Sequence, residues 1–119
     1  MKYHESEEMY LETILLLTER QTSVRSIDIA TELGYSRASV SRAVGLLQKK
    51  NYIIIDNGYI KFTESGLQKA KDIFERHEII TDLLKKIGVS DELAEDNACR
   101  IEHVISPELL TYFKKILNK

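Results

Sequence analysis

The dipeptide Asn57-Gly58, set inside YIIIDNGYIKFT, restricts this chain more than any other feature. Both residues accept positive φ, so Asn-Gly between two β-rich runs is the strongest short-range signal for a β-hairpin. Three helical periods precede it. SEEMYLETILLLTER carries Met9, Leu11, Ile14, Leu15 and Leu17 as its apolar positions, with Ser6 as the expected N-cap. SVRSIDIATELGYS carries Ile27, Ile29, Ala30 and Leu33, with Ser26 as the expected cap and Gly34 as the stop. SRASVSRAVGLLQKKN opens at Ser36 and sets Val40, Val44 and Leu47 on one face. Two short helices joined by LGYS match a helix-turn-helix, and the order helix, helix, helix, hairpin predicts a winged helix.

Three further helices follow. TESGLQKAKDIFERHEIITDLLKKIG reads as one long helix capped by Thr63 and stopped by Gly88. SDELAEDNACRIEHVI reads as a helix capped by Ser90, and SPELLTYFKKILNK as one capped by Ser106 with Pro107 at its first position. The fold class is therefore mainly α. A winged helix-turn-helix DNA-binding domain is expected over residues 1–63 and a helical domain over residues 64–119. The helices after the hairpin exceed what a DNA-reading head needs, so their apolar faces are expected to form a dimer interface.

Charge distribution bears on what the two parts bind. The net charge is only −2, yet residues 34–55 hold Arg37, Arg42, Lys49 and Lys50 and no acid. Residues 90–103 hold Asp91, Glu92, Glu95, Asp96 and Glu102 against Arg100 alone. A basic middle suits a polyanion and acidic ends suit a cation, although ordinary solvated faces would look the same by charge alone. No apolar run reaches the ~20 residues of a membrane span. The acidic start, MKYHESEEM, lacks the apolar core of a signal peptide, and a lone cysteine excludes an internal disulfide. A cytoplasmic protein with no membrane partner is expected.

In a helix-turn-helix the second helix enters the major groove by its N-terminal residues. Here these are Ser36, Arg37, Ala38, Ser39, Ser41 and Arg42. Arginine can pair bidentately with guanine or grip phosphate, and small residues permit close approach. Lys49, Lys50 and the wing residue Lys61 are placed to meet phosphate.

Near the other end, Cys99, Glu102 and His103 stand at i, i+3 and i+4, which share a face if that segment is helical. A thiol, a carboxylate and an imidazole on one patch form half a metal site. Read singly, Cys99 could equally be a small buried apolar residue, His77 an interface histidine, and Met9 a core residue.

The segments EMYLETI (8–14), SRASVSRAV (36–44), FTESG (62–66), RHEII (76–80) and DNACRIEHVIS (96–106) together resemble the diphtheria toxin repressor family of metal-dependent regulators. That family includes iron- and manganese-responsive repressors, and the similarity covers nearly the whole chain. It resembles a short form, without the C-terminal SH3-like domain of many iron-type members. The resemblance implies one divalent ion held by Met9, Cys99, Glu102 and His103, and a second site near by involving His77. It also implies that the domain over residues 64–119 both dimerises and binds metal. Manganese-type members have an aspartate in the place of Met9, a glutamate in the place of Cys99, and a further glutamate in the place of Glu12. This chain thus combines iron-like Met9 and Cys99 with manganese-like Glu12. Two departures concern the second site: Thr81 stands where the iron type has a carboxylate, and Glu95 stands where it has a histidine.

Sulfur donors favour Fe²⁺, Co²⁺, Ni²⁺ or Zn²⁺ over Mn²⁺, so Fe²⁺ is the preferred expectation, Mn²⁺ the second, with the other three able to substitute. The expected function is a metal-dependent transcriptional repressor. Metal would order a homodimer onto a palindromic duplex operator and so control metal-uptake genes, as the resemblance implies. The alternative is a winged-helix regulator that answers a small molecule or a protein partner without metal. With no HExxH-type motif and no second convergent acid–base pair, an enzyme is not expected.

Overall fold

The computed structural model describes residues 7–118, so the expected cap Ser6 lies outside the described residues. Helices α1 (Glu7–Arg20), α2 (Ser26–Leu33) and α3 (Arg37–Lys49) lead into strands β1 (Ile53–Asp56) and β2 (Tyr59–Phe62). Helices α4 (Glu64–Lys86), α5 (Asp91–Ile101) and α6 (Pro107–Leu117) complete the chain. The polypeptide divides within α4 into two units, residues 7–71 and 72–118 of those described. Among the described residues no helix is long and apolar enough to cross a membrane.

The first unit is a winged helix-turn-helix. Its core gathers Leu11 and Ile14 from α1, Ile29 from α2, Val40 and Leu47 from α3, and Ile53 and Ile60 from the strands, all buried. The tight link between α2 and α3 depends on Gly34, whose φ of +71° lets its N–H turn back to the Ala30 carbonyl at 2.8 Å. Ser36 then caps α3 by accepting from the Ser39 N–H at 3.1 Å. The start of α2 differs from expectation. Arg25, not Ser26, is the N-cap, and Ser26 is the first helical residue. The Asp28 carboxylate reaches back to accept the Arg25 N–H at 2.8 Å, the returning half of a capping box.

The wing pairs β1 antiparallel to β2, with Ile55 opposite Ile60 and Asp56 opposite Tyr59. Asn57 (φ +52°) and Gly58 (φ +82°) both sit in the left-handed region that a two-residue hairpin loop requires. The Ile60 N–H also donates to the Val24 carbonyl at 2.7 Å, which ties the wing to the residue just ahead of the α2 cap. Thr63 caps α4: its Oγ1 accepts from the Gly66 N–H at 3.1 Å and donates to the Asn51 carbonyl at 2.6 Å.

The second unit holds the rest of α4 against α5 and α6. Ile79, Ile80, Ala98 and Leu110 form its centre, with Leu84, Ile101, Ile105, Phe113 and Leu117 packed around them. Ser90 and Ser106 cap α5 and α6 as expected, and a Lys114–Glu75 ion pair of 2.9 Å joins α6 to α4. Helix α5 ends at Ile101, four residues earlier than the sequence pattern implied. The residue before a proline is excluded from helical backbone, and Ser106, ahead of Pro107, is extended (φ −73°, ψ 150°). The chain leaves the helix through a turn at Glu102–Val104, in which Glu102 keeps helical backbone angles and His103 lies beyond the helix.

The apolar positions of α4 at Ile79, Ile80 and Leu83 are buried within the chain. On α6 a second stripe, Leu109, Tyr112 and Ile116, stays exposed beside the stripe Leu110, Phe113 and Leu117 that packs inward.

Candidate metal centre and nucleic-acid interface

Helix α4 carries His77, and α5 carries Glu95 and Cys99 one turn apart, so all three face the seam between the two helices. The His77 ring is the hub. Its Nε2 lies 2.7 Å from Glu95 Oε1, and its Nδ1 lies 3.9 Å from Cys99 Sγ and 3.4 Å from Glu102 Oε2. His103 Nε2 approaches Glu102 Oε1 at 3.5 Å. One ligand atom each from His77, Glu95 and Cys99 fall within 4.8 Å of one another. The turn that aims Glu102 is fixed by Arg76, whose Nη1 donates to the Glu102 backbone carbonyl at 2.7 Å.

Glu102 is fully buried (0 % exposed), yet neither carboxylate oxygen has a hydrogen-bond partner. The two histidines approach it at ion-pair distance but without hydrogen-bond alignment. A buried carboxylate in that condition is costly unless a cation compensates it. His77 supplies part of the compensation. Hydrogen bonding to Cys99 first, and then the neighbouring Glu102 and Glu95 carboxylates, push its pKa up to about 11 against the opposing effect of burial. The ring therefore stands as an imidazolium at neutral pH. Imidazole, thiol and carboxylate together are a donor set that first-row divalent ions accept. An orphaned buried carboxylate inside that set is the observation that fits a divalent metal here.

The structure thus brings His77, Cys99, Glu102 and His103 together in one unit, whereas the sequence treated His77 apart from the other three. Glu95, which the sequence sets at the second site in the place of a histidine, stands beside His77 on α5. Met9 and Glu12 lie three residues apart on α1, in the other unit, both half-buried. The Tyr35 hydroxyl is 3.8 Å from Met9 Sδ.

On the first unit, Ser36, Arg37, Ala38, Ser41 and Arg42 are exposed at the N-terminal end of α3, and Ser39 is half-buried. Ser39 Oγ accepts from Ser36 Oγ at 3.1 Å and from Arg42 Nη2 at 3.4 Å, which orders the polar face of the helix. A cleft of about 390 Å³ opens between the start of α2, α3 and the wing turn, lined by Arg25, Ser26, Ile27, Arg37, Ser41 and Gly58. The Arg25 guanidinium lies 4.6 Å from the centre of the Tyr59 ring, a cation–π contact between α2 and the wing. Arg25 escaped the sequence reading because it precedes the recognition helix by a whole element. The lysines differ among themselves. Lys49 is exposed, but Lys50 Nζ pairs with Glu7 Oε1 at 2.5 Å, which raises its pKa, and Lys61 Nζ lies 3.4 Å from Asp56. A phosphate would have to compete with those carboxylates.

A winged helix-turn-helix whose recognition helix carries no acid, in a chain that also builds a His/Cys/Glu cluster around a buried carboxylate without hydrogen bonds, defines a metal-responsive DNA-binding regulator. Comparison with known proteins agrees. Residues 2–59 match the N-terminal DNA binding domain of iron dependent repressors, and residues 63–119 match their metal binding and dimerisation domain. The chain belongs to this family of metal-dependent transcriptional repressors of the diphtheria toxin repressor type, which are regulators and not enzymes. Its partners are DNA and a second copy of itself, and its cofactor is a divalent metal. It is 36% identical over 103 residues to the HTH-type transcriptional regulator MntR of Bacillus pumilus, covering 85% of this chain and 71% of that one. It is 29% identical over 118 residues to an uncharacterized HTH-type transcriptional regulator of Methanocaldococcus jannaschii, covering 97% and 94%. Among solved structures, IdeR of T. acidophilum shares the fold with a TM-score of 0.85 at 23% identity. All of this chain aligns with 56% of that one, so it spans little more than half the length of the solved relative.

Proposed function

We propose that residues 1–63 read a palindromic operator, that residues 64–119 dimerise and hold metal, and that metal controls the first activity through the second. The buried Glu102 carboxylate, with neither oxygen hydrogen-bonded, carries this reading. Cys99, Glu102, His103 and His77 would hold the ion together with Met9 and Glu12 of α1. When bound, a divalent cation would add positive charge beside Glu102 and a common anchor for side chains of both units. Shared between α1 and α5, these side chains restrict the motion of each recognition helix relative to the dimer. The two helices are then held about 34 Å apart, one turn of duplex, or a multiple of it. Without that restriction the heads must be ordered at the moment of DNA binding, and affinity falls. The thiol of Cys99 and thioether of Met9 favour Fe²⁺, and Mn²⁺ stands second, supported by Glu12 and by a solved relative described as a manganese-dependent repressor in complex with manganese. The protein would act in the cytoplasm on metal-uptake genes.

Arg42→Ala tests the DNA-reading assignment. In fluorescence-anisotropy titrations of metal-loaded protein on an operator duplex, this variant should bind about 10-fold or more weakly, the cost of about 1–3 kcal/mol expected for one bidentate base contact. Metal uptake should be unchanged. Undiminished DNA affinity would remove Arg42 from the interface.

The exposed stripe Leu109, Tyr112 and Ile116 on α6 is the surface the second copy would cover, since it lies in the segment that matches a dimerisation domain. Tyr112→Glu puts a charge at its middle. Sedimentation equilibrium should show at least a 10-fold weaker dimer, because truncating a buried interface aromatic typically costs more than about 1 kcal/mol. A dimer of unaltered strength would place the interface elsewhere.

A further inference from the structure

The His77 ring divides its two nitrogens between different neighbours. Nδ1 faces Cys99 and Glu102, and Nε2 faces Glu95. The two nitrogens point away from each other around the ring, so a cation held between Cys99 and Glu102 meets Nδ1 and not Nε2. Glu95 lies on the far edge at hydrogen-bond distance, 2.7 Å, and its side chain is 60% exposed. The fully buried Glu102 has no such partner. An exposed carboxylate that accepts an N–H stays solvated, whereas the buried Glu102 has only the two histidines at ion-pair distance.

We propose that Glu95 is the orienting carboxylate of His77: it accepts the Nε2–H and thereby presents Nδ1 to the bound cation. This inference rests on the metal-binding reading above. Metal-ligating histidines generally donate their second N–H to such a partner, which fixes the tautomer and the ring orientation and raises the basicity of the ligating nitrogen. Glu95 is then a positioning residue in the outer shell. Its Oε1 stands with the imidazole rather than with the ion, although it is near enough to Cys99 to be counted with the donors.

The test uses Co²⁺ as a visible probe on the full chain, comparing the unaltered protein with Glu95→Ala and Glu95→Gln. Alanine should weaken Co²⁺ binding about 10-fold or more, the usual cost of losing an outer-shell partner. Glutamine, which still accepts an N–H through its amide oxygen, should restore affinity to within about threefold. The number of ions per protomer should be the same in all three. Nitrogen-15 spectra of the zinc-loaded protein should show the His77 proton on Nε2. If both variants lose one ion per protomer, Glu95 is a direct ligand and the proposal fails. It fails equally if alanine leaves the affinity unchanged or if the His77 proton sits on Nδ1. Absence of Co²⁺ uptake by the unaltered protein would instead overturn the metal reading itself, and the melting temperature of each metal-free variant identifies a folding defect.

Discussion

Glu102→Gln should remove the metal response of DNA binding while leaving the metal-free fold intact. The carboxylate is buried and its oxygens make no hydrogen bonds, so replacing it by an amide of the same shape removes the cost of burying a charge and offsets the loss of its ion-pair contact with His77. The melting temperature without metal should change little. The loaded protein loses far more. A ligand present at about 100 times its dissociation constant stabilises the state it binds by about 2.7 kcal/mol, and the thermal shift produced by saturating Mn²⁺ or Fe²⁺ should largely vanish. Coupling between two sites of this kind is worth roughly 5- to 150-fold in affinity, and the variant should lose that whole factor on operator DNA. A variant that still tightens on DNA when metal is added would show that Glu102 is not a ligand.

Gly66→Ala should be among the most damaging single changes in the first unit. Near the start of an exposed helix the exchange would ordinarily stabilise by a few tenths to about 1 kcal/mol. Here a Cβ on Gly66 would stand 1.8 Å from the Tyr52 carbonyl oxygen and 2.6 Å from its carbon. Both are backbone atoms, held in place by the Thr63 N–H donated to the Tyr52 carbonyl at 3.0 Å and by Thr63 Oγ1 on Asn51. Relief requires the start of α4 to move off the end of α3, which breaks the cap. We expect a loss of about 3 kcal/mol and a melting temperature lower by roughly 10 °C or more. Calorimetry decides the matter by sign alone: a raised melting temperature would mean that the approach of α4 to Tyr52 is wrong.

Much of the fold was legible because its signals are local. Ser36, Thr63, Ser90 and Ser106 act within a single turn of their own helices, and Gly34 and the Asn57-Gly58 pair act through their own backbone angles. Where a distant element decided the outcome, the sequence misled or was silent. A local competitor also misled: Ser26 looked like a cap, but the Asp28 carboxylate, three residues on, satisfies the N–H of Arg25 and moves the boundary by one residue. Nothing local marks Gly66, because the carbonyl it must clear belongs to Tyr52, fourteen positions earlier. Lys50 looked free for phosphate, although Glu7, forty-three positions earlier, holds it.

The site was legible by residue type and not by arrangement. Spacing could place Cys99 and Glu102 on one face, but only the packing of α4 on α5 sets the His77 ring between Cys99, Glu102 and Glu95. Nothing in the spacing could signal that Arg76 satisfies the Glu102 carbonyl and so fixes the turn. Burial of Glu102 without a partner is likewise a property of the packed core, and it is the feature that calls for a cation.

The central claim is that metal binding and operator binding are one coupled equilibrium, and coupling is reciprocal. The direct measurement is the dissociation constant for Mn²⁺, or for Fe²⁺ under anaerobic conditions, with and without saturating operator duplex. The account predicts that DNA tightens metal binding by the same factor, about 5-fold or more, by which metal tightens DNA binding. A metal affinity that is identical with and without the duplex would contradict it.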